Sequence, residues 1–103
     1  MDEKEFERRA AEALKRIERA LQDEDLDADL AGDVLKVDFE DGSTFVINSH
    51  GAAQQIWMSA NMRAWHFSWD GKSWRDTKSG TELFSEVGRL VSEKLARAVN
   101  LRS

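Results

Sequence analysis

Near the N-terminus, apolar residues recur at steps of three and four. The positions that follow this spacing are Phe6, Ala10, Leu14, Ile17 and Leu21. Residues at such intervals share one face of a helix, and the opposite face here carries charged side chains such as Glu12 and Lys15. The pattern therefore predicts an amphipathic helix over about residues 3–22.

From Asp25 to Leu30 the period changes to two, with leucine or alanine alternating with aspartate. Alternation of this kind predicts a half-buried strand that begins at Asp25 and turns its aspartates to solvent. The aspartates concerned are Asp25, Asp27 and Asp29. Because aspartate is a poor strand former, its presence at every second position of a strand needs an explanation.

Further alternating segments extend the predicted sheet. They are LKVDF, a segment through Phe45 and Ile47, QQIWMSA, AWHFSW and a short strand around Trp74. Turn signals separate most of them, at Gly32-Asp33, Asp41-Gly42 and Asp70-Gly71. Because consecutive strands are joined by short connections, the sheet is predicted to be antiparallel.

A second helix is predicted from Leu83 to about Ala98. Its apolar positions are Leu83, Val87, Leu90 and Val91. Ser79 and Glu82 have the spacing of a capping box before it. The predicted fold is a single α+β domain over residues 1–103, a two-layer α/β sandwich. Its N- and C-terminal helices cover one face of an antiparallel sheet with five or six strands.

Composition narrows the possible chemistry. The 103 residues include no cysteine, which excludes disulfides and thiolate metal sites within this chain. The net charge of −5 is uneven, because residues 1–33 hold twelve acids and six bases. Such a surface repels nucleic acid backbones, so that no nucleic acid partner is expected. Without an apolar run or a basic leader, the chain is expected to be cytoplasmic and to have no membrane partner.

The aspartate row resembles the start of a calcium-binding EF-hand loop, but that motif fails. Leu30 stands where the loop needs glycine, and Lys36 stands where it needs glutamate. Carboxylates at alternate strand positions are about 6.6 Å apart, which suits several loosely held, partly hydrated cations. The alternative interpretation is a charged edge strand that prevents pairing with a second molecule.

Known catalytic motifs find little support in the sequence. Gly71-Lys72-Ser73 resembles the end of a P-loop, but the earlier glycine of that motif falls on His66. Neither His50 nor His66 follows a glutamate at the spacing of helical di-iron sites. Carboxylates on an exposed face are not desolvated, so that an enzyme is not expected.

Trp57 is a second unusual residue. If Ile56 and Met58 face the helices, then Gln55 and Trp57 face away from them, and an exposed tryptophan is typical of a contact surface. In the opposite register Trp57 would belong to the core. On the next strand, alternation places His66 outward, near Trp57. The residues expected in the core of that strand are Trp65, Phe67 and Trp69.

Taken together, these segments resemble the frataxin family, in its bacterial CyaY-type branch. The segments concerned are the acidic first helix opening at Glu5-Phe6, the aspartate-rich strand, GDVLKVDFEDGSTFVIN, QQIW, WHF, and Trp74 followed by Ser79-Gly80. The resemblance implies an α/β sandwich, iron binding by an acidic ridge, and a role in iron–sulfur cluster assembly. The partners it implies are a cysteine desulfurase and an iron–sulfur scaffold protein.

Carried over by position, the resemblance implies the metal candidates Glu18, Asp23, Asp25, Asp27 and Asp29. The partner-binding candidates are Trp57, Gln55, Glu18 and Asp23. Three positions depart from the family pattern: Arg19 and Gln22 replace frequent carboxylates, and Ala52 replaces a frequent proline. The first two shift the expected site toward the strand.

The expected ligand is weakly bound Fe2+ or Fe3+, for which other divalent or trivalent cations can substitute because carboxylate oxygen is a hard ligand. The chain is expected to be a monomer that can form iron-dependent oligomers. A weak ferroxidase or iron-storage activity on the same carboxylates is the alternative function, and a purely structural interaction module is a third possibility.

Overall fold

The computed structural model describes residues 1–102 and contains two helices and six strands. The helices are α1 (Glu3–Asp23) and α2 (Leu83–Leu95). The strands are β1 (Asp27–Ala31), β2 (Val34–Asp38), β3 (Thr44–His50), β4 (Gln55–Ala60), β5 (Arg63–Trp69) and β6 (Trp74–Asp76). The strands form one antiparallel sheet in the order of the chain, with β1 and β6 at its edges. The predicted α+β sandwich is therefore confirmed.

The core lies between the two helices and one face of the sheet. All five apolar residues of the predicted stripe of α1 are buried, and Ala13 joins them. Each strand contributes alternate residues to the same apolar cluster, with Phe45, Ile56 and Phe67 among the fully buried ones. Trp69, which was expected in the core, is only partly buried, because it packs at the end of the sheet beneath the guanidinium group of Arg9.

The junction between α1 and β1 differs from the sequence prediction. The strand begins at Asp27 rather than Asp25, because α1 continues to Asp23 and ends in a tight backbone turn. In this turn the N–H of Asp25 donates to the carbonyl of Gln22, at 2.9 Å. The N–H of Leu26 donates to the carbonyl of Leu21, at 3.1 Å. These two bonds define a Schellman motif, which uses the last carbonyls of the helix and delays the strand.

Helix α2 begins at Leu83 as predicted, but its N-cap and its end differ from the prediction. Its N-cap is Glu82, whose carboxylate accepts the backbone N–H groups of Phe84 and Ser85. Ser79 is not part of a capping box, because its hydroxyl donates to the buried carboxylate of Asp76, at 2.9 Å. The helix ends at Leu95 rather than Ala98, since Ala96 adopts a left-handed conformation with φ of 55°.

The connection between β6 and α2 is organised around Asp76, which is 8% exposed. Its Oδ1 accepts the N–H of His66, at 3.1 Å. Its Oδ2 accepts the N–H groups of Lys78 and Ser79 in addition to the Ser79 hydroxyl. One carboxylate therefore links strand β5 to the turn that leads into α2.

Candidate acidic binding site

The five predicted metal candidates lie along the edge formed by α1 and β1. We call Glu18, Asp23, Asp25, Asp27 and Asp29 the acidic ridge. Asp23 ends α1, Asp25 lies in the following turn, and Asp27 and Asp29 lie on β1. The four aspartates are exposed, whereas Glu18 is half-buried.

Basic side chains lie near the acidic ridge but do not neutralise its aspartates. Within residues 1–102, none of the four aspartates forms an ion pair. Lys36 lies opposite Asp29 across the β1–β2 ladder, without a salt bridge between them. The guanidinium group of Arg97 instead pairs with Glu24, at 2.6 Å. The aspartate oxygens of the ridge therefore remain open to solvent.

Asp25 occupies a backbone conformation that favours glycine. Its φ is 63°, at the position after the helix end where Schellman motifs most often place glycine. We expect Asp25→Gly to raise the free energy of unfolding by about 0.5 kcal/mol, because glycine relieves the left-handed strain. Urea denaturation measures this change. A lower free energy of unfolding in Asp25→Gly would show that Asp25 is not strained. Asp25→Asn is the matched control, because it removes the same charge without adding a glycine.

An open groove adjoins the ridge at the end of the sheet near the C-terminus of α2. Its volume is about 580 Å³. The carboxylates that line it are Glu24, Asp25, Asp27, Asp38, Glu40 and Asp41. We call this feature the acidic groove. Sequence reasoning missed Asp38, although a two-residue turn at Gly32-Asp33 already places it opposite Asp27.

The pair formed by Asp27 and Asp38 is electrostatically unfavourable. The two residues are cross-strand neighbours on the exposed face of the sheet. Side chains directly opposite each other on antiparallel strands lie about 5 Å apart at Cβ, and like charges in this position destabilise the sheet. The hydroxyl of Thr44 donates to Asp38, at 2.7 Å, and partly satisfies its carboxylate. A bound cation would relieve the remaining repulsion.

Two basic residues near the end of α2, Lys94 and Arg97, limit the negative charge of the groove. Arg97 does so through its ion pair with Glu24. The ammonium group of Lys94 pairs with Asp41, at 3.0 Å, and lies over the ring of Phe39. Hydrogen bonds from the hydroxyl and N–H of Ser43, together with that of Lys94, lower the pKa of Asp41 to about 2. Asp41 is therefore already satisfied within the protein, whereas Asp25 and Asp27 form no ion pair within residues 1–102.

Glu18 is engaged with the neighbouring strand. Its Oε2 accepts the backbone N–H of Leu30, at 2.7 Å. Four residues later on α1, the side-chain amide of Gln22 donates to the carbonyl of Ala28, at 2.8 Å. Two side chains of the helix therefore hold the outer edge of β1.

The predicted outward position of Trp57 is confirmed, although its ring is half-buried. The imidazole of His50 stacks on one side, with 3.9 Å between ring centroids. The imidazole of His66 stacks on the other side, at 4.6 Å. The indole N–H donates to Gln55, whose amide donates to Ser68. A partner approaching Trp57 would therefore meet a stack of three rings rather than a free indole.

The carboxylate oxygens of the ridge are suitable ligands for loosely coordinated hard cations. Carboxylate oxygens are the ligands that such cations prefer. Among residues 1–102, no group of three or more acidic, histidine or cysteine side chains is arranged to hold one metal ion. Asp27 and Asp29, two positions apart on one strand, are about 6.6 Å apart along it. The arrangement therefore suits separate, partly hydrated ions.

Comparison with known proteins identifies the family. A family model described as a frataxin-like domain matches residues 1–97. The chain belongs to the frataxin-like family. The iron–sulfur cluster assembly protein CyaY of Dechloromonas aromatica is 44% identical to this frataxin-like chain, covering 99% of this chain and 100% of that protein. The protein of the same name from Cupriavidus pinatubonensis is 36% identical, with 98% and 96% covered.

A solved structure shows the same fold. Frataxin from Psychromonas ingrahamii superposes on this frataxin-like chain with a TM-score of 0.92 and 23% sequence identity, and both chains are fully covered. None of the helices formed by residues 1–102 is both long and apolar enough to cross a bilayer.

Proposed function

We propose that this chain takes part in iron–sulfur cluster assembly as a non-catalytic iron-binding protein of the cytoplasm. It regulates a cysteine desulfurase, or supplies iron to the assembly, through the acidic ridge. Membership of the frataxin-like family, and the iron–sulfur cluster assembly role for which its relatives are named, support the role in assembly. The observation that carries the finer proposal is the solvent exposure of Asp23, Asp25, Asp27 and Asp29, which form no ion pair within residues 1–102.

Iron binding follows from the ligand chemistry of the ridge. Exposed carboxylates hold Fe2+ or Fe3+ through oxygen, and each ion keeps part of its water shell because few ligands reach it together. Such binding is weak and poorly selective, so that Mn2+ and Co2+ compete for the same positions. The aspartates of β1 and the preceding turn supply the ligands, and Glu18 lies beside them.

Docking on the desulfurase follows from the charge of the same surface. A cluster of open carboxylates attracts a basic patch of a partner and steers its approach. Metal ions and the partner then compete for the ridge or bind it together. The stack around Trp57, with Gln55 beside it, provides a second contact on the exposed face of the sheet for the desulfurase or the scaffold protein.

An NMR titration with iron tests the proposal most directly. Under anaerobic conditions, Fe2+ is expected to broaden amide signals of residues 18–33 through its unpaired electrons, while signals of β5 and β6, on the opposite side of the sheet from β1, stay sharp. Lutetium, a diamagnetic trivalent cation with hard-ligand chemistry, is the control for shifts that binding alone produces. Broadening spread evenly over the surface would contradict a ridge site and favour a purely structural module.

Ferroxidase or iron-storage activity is the alternative on the same carboxylates. Oxygen consumption by Fe2+, measured with and without the protein, separates it from the proposed function. We expect equal rates. Protein-dependent acceleration would replace the non-catalytic assignment.

A further inference from the structure

The outer edge of β1 is closed by two side chains of α1 rather than by another strand. Glu18 accepts the N–H of Leu30, and Gln22 donates to the carbonyl of Ala28, at 2.7 and 2.8 Å. Glu18 and Gln22 are four residues apart, which places them on the same face of the helix. Ala28 and Leu30 are two residues apart, so that their backbone groups point to the same side of the strand.

These two contacts fix the strand that carries the ridge. Backbone groups of successive residues alternate between the two sides of a strand, so that those of Asp27 and Asp29 face β2. The contacts from α1 therefore hold the backbone of Ala28 and Leu30, each of which directly follows an aspartate of the ridge. A strand at the edge of a sheet has a ladder on one side only, and the helix contacts supply the other side.

We propose that Glu18 and Gln22 are positioning residues for the ion-binding carboxylates of β1, and that Glu18 is not itself a metal ligand. This inference rests on the proposed iron binding. The Leu30 N–H donates to Oε2 of Glu18 and holds this half-buried carboxylate against the backbone of β1, whereas the aspartates of the ridge are exposed. Gln22 acts through its amide donor, which a carboxylate at this position does not possess.

Substitutions separate charge from position. Glu18→Gln removes the charge but keeps a carbonyl oxygen that can accept the Leu30 N–H, whereas Glu18→Ala removes both. Gln22→Ala breaks its contact without changing any charge. Glu12→Gln is the matched control for charge, because Glu12 is exposed on the same helix and lies outside the ridge. Asn100→Ala, at another exposed position, is the control for Gln22→Ala.

Two NMR measurements report on these variants. Amide hydrogen exchange of Leu30 reports on the contact with Glu18, and broadening of the Asp27 and Asp29 amides by Mn2+ reports on ion binding. In Glu18→Ala, the protection of Leu30 is expected to fall about tenfold, because one charge-assisted bond is lost. Mn2+ binding is expected to weaken about tenfold in Glu18→Ala and in Gln22→Ala, because residues that position metal ligands affect affinity by at least this factor. Glu18→Gln is expected to match Glu12→Gln in both measurements.

The outcomes distinguish this inference from the proposed function. If Glu18→Gln loses Mn2+ binding as fully as Glu18→Ala while Leu30 stays protected, Glu18 is a ligand and the inference is wrong. If Gln22→Ala binds Mn2+ as Asn100→Ala does, the positioning role of Gln22 is wrong. If the unsubstituted protein shows no broadening at Asp27 or Asp29, iron binding fails, and the exchange of Leu30 still reports on the contact with Glu18.

Discussion

Replacing Asp76 by alanine is expected to lower the free energy of unfolding by about 3 kcal/mol, equivalent to a fall in Tm of roughly 15 °C for a domain of this size. The carboxylate is 8% exposed and accepts four hydrogen bonds, three of them from backbone N–H groups. Its removal leaves those donors without a partner where β5 meets the turn before α2. Urea denaturation at pH 7 measures the loss.

The stabilisation by Asp76 depends on pH with a definite sign. Burial of the carboxyl raises its pKa, but hydrogen bonds from Ser79, His66 and Lys78 outweigh burial and hold the pKa of Asp76 below its usual value. A carboxyl with a lowered pKa stabilises the folded state above the unfolded pKa of about 3.9. That contribution is lost as the pH falls through the folded pKa. The stability difference between wild type and Asp76→Ala is therefore expected to shrink below about pH 4.

Thr77→Ala is the matched control for this prediction. Thr77 is the exposed neighbour of Asp76, and its hydrogen bond to His66 uses its backbone N–H, which alanine keeps. An exposed substitution of this kind is expected to change stability by less than about 0.5 kcal/mol. If Asp76→Ala were as stable as Thr77→Ala at pH 7, the organising role of the carboxylate would be refuted.

The sequence predicts the layers of this fold because burial alternates so regularly along it. The stripe of α1 and the inward residues of the strands are read from periods of about 3.6 and 2. The ends of helices and strands depend instead on backbone hydrogen bonds that the periodic pattern does not reveal. Asp25 continues the alternating pattern but lies in a helix-ending turn, because backbone hydrogen bonds to Leu21 and Gln22 outweigh the pattern at one residue.

The predictability of the site differs from one part to another. Exposure of Asp27 and Asp29 follows from alternation, and the position of Asp38 follows from the length of the Gly32-Asp33 turn. The pairing of Arg97 with Glu24 has no local signal, because 73 residues separate them and only the packing of α2 brings them together. Tertiary packing therefore decides which of the acidic side chains are paired with basic ones and which remain unpaired.

The failed capping box at α2 has a physical cause in the buried carboxylate of Asp76. Ser79 and Glu82 have the spacing of a capping box, yet Ser79 turns to Asp76. A buried carboxylate needs several donors, and a serine three residues away can supply both its N–H and its hydroxyl. Glu82 then caps the helix alone, through two backbone N–H groups. Local motifs compete with buried polar groups that sequence patterns do not reveal.

Exchanging Asp27 and Asp29 together for asparagine is expected to weaken docking on a cysteine desulfurase roughly tenfold at low salt. Both side chains are exposed and form no ion pair within residues 1–102, so that a basic partner surface can use their full charge. The difference from wild type is expected to vanish near 1 M salt, where the screening length is about 3 Å. Binding measured over a series of salt concentrations reports both effects.

The matched control removes two negative charges elsewhere. Glu12→Gln with Glu93→Gln changes the net charge equally, on exposed parts of α1 and α2 outside the ridge. This control is expected to bind the desulfurase almost as tightly as wild type. If both double variants lose affinity equally, only net charge matters and the ridge is not the docking surface. If neither loses affinity, docking is not led by charge.

The free energies of unfolding of the ridge variants provide an independent measure of the role of the carboxylates. Asp27 lies opposite Asp38, so that its neutralisation removes a repulsion between neighbouring strands. Against this, Asp29 lies opposite Lys36, and its neutralisation removes a weak attraction. Asp27→Asn alone is therefore expected to raise the free energy of unfolding by about 0.5 kcal/mol while it weakens docking. A carboxylate that lowers stability and raises affinity is retained for binding, whereas a loss of stability in Asp27→Asn would indicate a structural role instead.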